Sequence, residues 1–231
     1  MARKIKAALI DMDGTLYDSM PLHARAWMQL MNDINVAARE DEFFLYEGCT
    51  GAYIINKMIE RQFGRQATDE EKVNLYALKA KYFAEQTDVP VMPGAVKLVN
   101  ELRQCGIDTI LVTGSGQTSL LSRLEIDFPG AFPPDKRVTS ASVTHGKPHP
   151  EPFLKGLELA GVSAYEAIAI DNAPLGTTSA HAAEVFTIGV VTGPIHREDI
   201  EATGADFVFN SMHECAENIS ELINKLEKQS I

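Results

Sequence analysis

Six short apolar runs constrain this chain more than any other feature. They are Ala7–Ile10, Thr109–Val112, Arg137–Thr139, Ala167–Ile170, Phe186–Val191 and Asp206–Phe209. Several are apolar along their whole length instead of alternating, which suits strands buried on both faces of a parallel sheet. Helical segments separate them. Pro93–Gln104 reads as a helix with proline near its start and Gly106 just past its end. Glu151–Ala160 (stopped by Gly161), Gly176–Ala183 and the amphipathic Met212–Lys228 also read as helices. Strands that alternate with helices imply right-handed βαβ units and a doubly wound α/β sheet.

One stretch breaks the alternation. Between the first and second strand runs the chain shows helical periodicity and almost no strand signal. His23–Met31, Ala52–Phe63 and Asp69–Phe83 read as helices, the last opened by Thr68 with Glu71 three residues on. The expected organisation is a core of residues 1–17 plus 89–231, with residues 18–88 forming a small helical cap inserted after the first strand. Such an insert lies over the carboxyl edge of the sheet, where open α/β sheets bind ligands.

The chain has 231 residues, enough for one sizeable domain with a smaller insert. Its net charge of −11 and the absence of a basic stripe exclude a nucleic-acid binder. No apolar run approaches the roughly 18 residues that read as a membrane span. The segment Met1–Lys6 is basic but lacks the apolar core of a signal peptide, so a cytoplasmic protein is expected. A monomer is expected as well. Cys49, Cys105 and Cys215 are widely spaced and form no CxxC, which marks them as free thiols. His145, His149, His181 and His196 show no metal-ligand spacing and read as loop or surface residues.

The ends of the strands carry the chemistry. Asp11-Met12-Asp13-Gly14 directly follows the first run. Two acids this close repel unless a cation lies between them or one is protonated. One carboxylate can hold Mg²⁺ and attack phosphorus, while the other passes a proton to the leaving group and later activates water. Calcium loops share the spacing but continue with alternate oxygen ligands; here Thr15-Leu16-Tyr17 follows. Thr113 with Gly114-Ser115-Gly116 ends the next long strand, and a hydroxyl with free N–H groups at a helix start makes an anion cradle. Lys147 lies in a loop held by Pro148, Pro150 and Pro152. Asp171-Asn172 ends a further strand with two more oxygen donors.

Taken together, these four strand ends resemble the haloacid dehalogenase superfamily of phosphohydrolases, and the helical insert resembles the cap of its β-phosphoglucomutase-like subfamily. The resemblance implies a Rossmann-like core, a Mg²⁺ cofactor and an aspartyl-phosphate intermediate. It makes Asp11 the nucleophile and a metal ligand, and Asp13 the acid/base with its carbonyl on the metal. It places the phosphoryl group on Thr113 and Lys147, and completes the metal site with Asp171 and Asn172. The family commonly shows Glu-Asp where this chain has Asp171-Asn172, which removes one negative charge from the metal site.

Specificity is expected in the cap. By the resemblance, His23 helps position Asp13 and the substrate, and Glu47-Gly48-Cys49-Thr50-Gly51 is the specificity loop. Sugar-phosphate mutases usually carry an arginine near the position of Gly51. Glu47 disfavours a bulky dianionic sugar phosphate unless it meets the metal. Lys79 is a candidate second phosphate contact. Tyr46-Glu47-Gly48, Gly114-Ser115-Gly116-Gln117 and Asp171–Gly176 resemble a bacterial subfamily member that acts as an inorganic pyrophosphatase. The expected activity is Mg²⁺-dependent hydrolysis of pyrophosphate or a small phosphate ester. The alternatives are a hexose-phosphate mutase and a non-catalytic phosphate-binding regulatory module.

Overall fold

A computed structural model describes residues 3–86 and 89–228. The expected cap-to-core boundary at residue 88 lies outside the described residues. The elements run in the order β1 Ala7–Ile10, α1 Met20–Asp33, α2 Glu42–Leu45, α3 Gly51–Phe63, α4 Asp69–Ala84, α5 Ala95–Gln104, β2 Asp108–Val112, α6 Thr118–Asp127 and β3 Arg137–Val138. They continue with α7 Glu151–Ala160, β4 Ala167–Asp171, α8 Pro174–Ala182, β5 Phe186–Val190, α9 Arg197–Glu201, β6 Phe207–Phe209 and α10 Met212–Lys228.

Among the described residues the strands form one all-parallel sheet in the order β3-β2-β1-β4-β5-β6. Both faces are covered, which explains the unbroken apolar runs. Alternate residues of β1 enter different cores. Ala8 and Ile10 pack with α5 and α10 residues such as Leu98, Leu102 and Ile219, whereas Ala7 and Leu9 pack with Phe153 of α7 and Ala180 of α8. The order in which successive strands are laid down reverses between β1 and β4. That switch point opens a crevice at the carboxyl ends of the strands.

The insert is helical and has an apolar cluster of its own, in which Trp27, Leu30 and Met31 of α1 meet Phe43, Ile54, Ile55 and Met58. Thr68 and Glu71 form the expected reciprocal cap of α4. The chain passes between core and insert through two paired segments. Asp18 donates its N–H to Pro90 O and Met92 donates to Leu16 O, so entry and exit are tied side by side. Three helix starts differ from expectation by two residues or more. α1 begins three residues before His23 and α8 two before Gly176, each with proline in its first turn, where the missing N–H costs nothing. α5 begins at Ala95, past Pro93, because Gly94 turns the chain with φ +99°.

Leu9 is fully buried at the centre of the sheet. Leu9→Ala is expected to cost about 2–5 kcal/mol, read as a lower midpoint in urea unfolding with little change in slope.

Candidate active site

Four strand ends converge at the switch point. Asp11 follows β1, Thr113 follows β2, the loop after β3 supplies Lys147, and Asp171 closes β4. Because β1 lies between β2 and β4, the sheet alone brings Asp11 between its partners. Gly14 closes the first motif in the left-handed region at φ +81°, and a Cβ there would lie 2.2 Å from Asn172 and Glu47 side-chain atoms. Only glycine serves both needs.

The centre is a buried ion cluster. Lys147 Nζ donates to Asp11 Oδ1 at 2.6 Å and to Asp171 Oδ2 at 2.7 Å. Burial works against the Lys147 charge, but these two carboxylates outweigh it and hold the ammonium well above its usual range. Asp11 is pushed the other way. Burial, partly offset by Lys147, raises its carboxyl to about 8, with Asp171 and Asp13 adding repulsion. Glu47 reaches in from the insert and is 4% exposed. Burial also raises its carboxyl well above the usual range. Asp11 and Asp171 thus share one buried ammonium, Glu47 adds a third buried carboxyl beside them, and protons held on Asp11 and Glu47 stand where further positive charge would otherwise be needed. The donor set facing it is all oxygen, the set taken by a hard divalent cation. The residues therefore fit such an ion, with the Asp11, Asp171 and Glu47 carboxyls gathered to hold it.

Asn172 does not sit as expected. Its amide oxygen accepts from Thr15 Oγ1 at 3.0 Å, and its Nδ2 donates to Glu47 Oε1 at 2.8 Å. It acts as the holder of Glu47 through Nδ2, while its amide oxygen keeps a second lone pair beside the bond from Thr15. An aspartate at this position would repel Glu47. The charge missing at 172 relative to the family pattern is thereby restored by Glu47, from the opposite side of the site.

The second carboxylate of the motif has a different environment. Asp13 Oδ1 accepts from Ser19 Oγ at 2.6 Å and meets His23 Nε2 at 2.9 Å. Burial alone would raise its carboxyl, but His23 and Ser19 outweigh burial and hold it below the usual range. His23 Nδ1 in turn hydrogen-bonds Lys79 Nζ. Lys79 lies over Trp27 and Phe83, 5.2 and 5.1 Å from the ring centroids. Desolvation lowers its ammonium to about 7, and burial with the neighbouring Lys79 charge lowers His23. Lys79 therefore lines the cavity and reaches Asp13 through His23. Its surroundings are those of a residue in a relay, more than of a solvated helix lysine.

The anion cradle also departs from expectation. Ser115 N–H donates to Thr113 Oγ1 and Gly116 N–H to Tyr76 OH, both at 3.0 Å. Two donors expected to be free are therefore engaged, and Thr113, Gly114 and Ser115 line the cavity beside Asp11 and Asp13. The cavity is small, about 50 Å³, and the insert supplies much of its wall, including Trp27, Tyr46, Glu47 and Tyr76. Ser19, Trp27 and Tyr76 were not singled out from the sequence. Trp27 had a signal, since it follows His23 by one helical turn on the same face.

The haloacid dehalogenase-like hydrolase profile matches residues 5–184. Hexitol phosphatase A of Escherichia coli is 30% identical over 189 residues, 81% of this chain and 83% of that protein. Glycerol-1-phosphate phosphohydrolase 1 of Saccharomyces cerevisiae is 31% identical over 201 residues, 83% of this chain and 77% of that protein. A solved structure from Bacteroides vulgatus, described as a β-phosphoglucomutase candidate, is 39% identical. It superposes with a TM-score of 0.92 over 99% of this chain and 92% of its own. The chain belongs to the haloacid dehalogenase-like hydrolases, in their β-phosphoglucomutase-like branch, and its homologues make it a phosphohydrolase in the broad sense.

The raised carboxyls yield a stability prediction. In its folded state Asp11 retains a proton up to about pH 8, whereas an unfolded carboxyl loses it near 4. The folded state thus binds more protons across that window, so stability falls as pH rises through it. With EDTA, the melting temperature should drop between pH 6 and 8. A divalent cation should raise it, and by more at pH 8 than at pH 6.

Proposed function

We propose that this protein is a Mg²⁺-dependent phosphohydrolase that works through an aspartyl-phosphate on Asp11, with inorganic pyrophosphate or a small phosphate ester as substrate. The observation that carries this reading is the under-compensated carboxylate cluster in a cavity of about 50 Å³. Pockets for drug-sized ligands run from about 300 to 1,000 Å³. The small volume favours a small substrate.

When bound, Mg²⁺ would supply the positive charge that keeps Asp11 ionised and neutralises phosphoryl oxygens. Asp11 Oδ attacks phosphorus, and the bond from phosphorus to the leaving oxygen breaks. Lys147 and Thr113 orient the phosphoryl oxygens. Asp13, held by Ser19 and His23, rests as the carboxylate. An incoming anionic substrate raises its proton affinity, and the protonated form gives its proton to the leaving oxygen. Asp13 then takes a proton from water, which attacks phosphorus and frees Asp11 with release of phosphate. Positioning and charge neutralisation do most of the work in such transfers, and the insert walls the cavity with Trp27, Tyr46 and Tyr76.

The site of the expected mutase arginine is blocked. A Cβ on Gly51 would lie 2.0 Å from the Tyr76 ring, so this position has no room to reach a second phosphate. Glu47 held by Asn172 disfavours a second dianion unless a cation bridges them. Both features favour hydrolysis over hexose-phosphate transfer, and pyrophosphate complexed with Mg²⁺ over a free sugar phosphate.

Asp11→Asn should abolish Mg²⁺-dependent phosphate release while the fold survives, and retained turnover would sink the nucleophile assignment. Glu47→Ala should lower pyrophosphate turnover by at least about tenfold and shift the ranking across a panel of pyrophosphate, glycerol phosphate and hexose phosphates. An unchanged ranking would remove Glu47 from specificity. Conversion of β-glucose 1-phosphate to the 6-phosphate faster than phosphate appears would establish the mutase instead.

A further inference from the structure

His145 and His149, read from spacing as unrelated loop residues, come together in space. A ring nitrogen of each and a carboxylate oxygen of Glu151 all lie within 4.8 Å of one another. The rings face each other with centroids 4.7 Å apart. His145 Nδ1 is 3.1 Å from Glu151 Oε2. The Glu151 carboxylate is aimed by two backbone donors, Thr144 N–H on Oε1 at 2.8 Å and His145 N–H on Oε2 at 2.9 Å. His149 is oriented in turn, since its Nδ1 accepts from Glu151 N–H at 3.2 Å.

We propose that His145, His149 and Glu151 form a second metal site, selective for borderline divalent transition ions such as Ni²⁺ or Zn²⁺ over Mg²⁺. Tetrahedral zinc with bonds of about 2.1 Å has ligand–ligand edges of roughly 3.4 Å. The His145–Glu151 pair is already inside that edge. The His149 ring has to close by at most roughly 1.4 Å; it is exposed, and its one hydrogen bond, from Glu151 N–H, is the restraint it would give up. Both imidazoles bind as neutral ligands. The proton between His145 Nδ1 and Glu151 Oε2 moves to Nε2 of the same ring, the ion takes its place, and His149 contributes a lone pair. Water fills the fourth position. The selectivity follows from donor type, because imidazole suits Zn²⁺ and Ni²⁺ whereas the all-oxygen set around Asp11 suits Mg²⁺.

The position of the site gives it a consequence. Its two histidines lie on either side of Lys147, two residues away in each direction. An ion there ties the two ends of the loop that carries this lysine. The loop also borders an open groove between insert and core, walled by Thr50, Tyr53, Asn56 and Lys72 on one side and by residues 144–150 on the other.

Calorimetric titration of Ni²⁺ into the whole protein in excess Mg²⁺ tests this. One equivalent should bind. His145→Ala and His149→Ala should each weaken it by at least about tenfold without lowering the melting temperature of the metal-free protein. Asp11→Asn should leave it unchanged, which separates this site from the one in the proposed hydrolysis. Amide hydrogen exchange in residues 144–151 should slow on Ni²⁺ addition to wild type and not to His149→Ala. The proposal is overturned by no saturable Ni²⁺ binding in excess Mg²⁺, by equal affinity in both histidine variants, or by loss of binding in Asp11→Asn.

Discussion

The interaction on which the rest depends is the grip of Lys147 on Asp11 and Asp171. Three buried groups meet at 2.6 and 2.7 Å, at the point where the march of strands across the sheet reverses. Removing such charges from water is expensive, and one ammonium cannot compensate three carboxyls once Glu47 joins them. The fold supplies the structural cost. An all-parallel sheet with two covered faces is rigid enough to hold like charges together, so the cluster stays short of a cation without collapsing.

The insert completes the site and does more than cover it. It brings Glu47 to Asn172, Lys79 to His23, and Tyr76 to the loop after β2. The Glu47 and Tyr76 contacts join the insert to loops at strand ends, whereas the Lys79 contact lies within the insert and passes to Asp13 through His23. Opening the insert would separate Glu47 from Asn172 and Tyr76 from Gly116, and so would change the charge around Asp11 along with its access to water. The amide at position 172 is the counterpart of Glu47: relative to the family pattern, one carboxylate has moved from the sheet to the insert.

Much of this architecture was legible in the chain. The six apolar runs became the six strands with ends correct to within a residue or two, because burial on both faces leaves a strong signal. The reciprocal cap at Thr68 and the stop at Gly161 were equally plain, being local. The elements that escaped notice were α2, α6 and α9. α2 and α9 are four and five residues long, too short to show a period. α6 has no capping side chain at Gln117 to announce its start. The reactive strand ends were named correctly as neighbours. Ser19, Trp27 and Tyr76 were not, and neither was the meeting of His145 with Glu151.

The sequence by itself determined the class of fold and the roster of charged groups, since periodicity, capping and strand-end motifs act over a few residues. Only the tertiary structure decided how those groups are paired. That Asn172 reaches Glu47, that the Gly116 N–H is taken by Tyr76, and that Lys79 meets His23 all depend on contacts across 40 to 125 residues of chain. The energies at stake there are those of desolvation and Coulomb attraction, which depend on distance and burial in three dimensions and leave no period in the sequence.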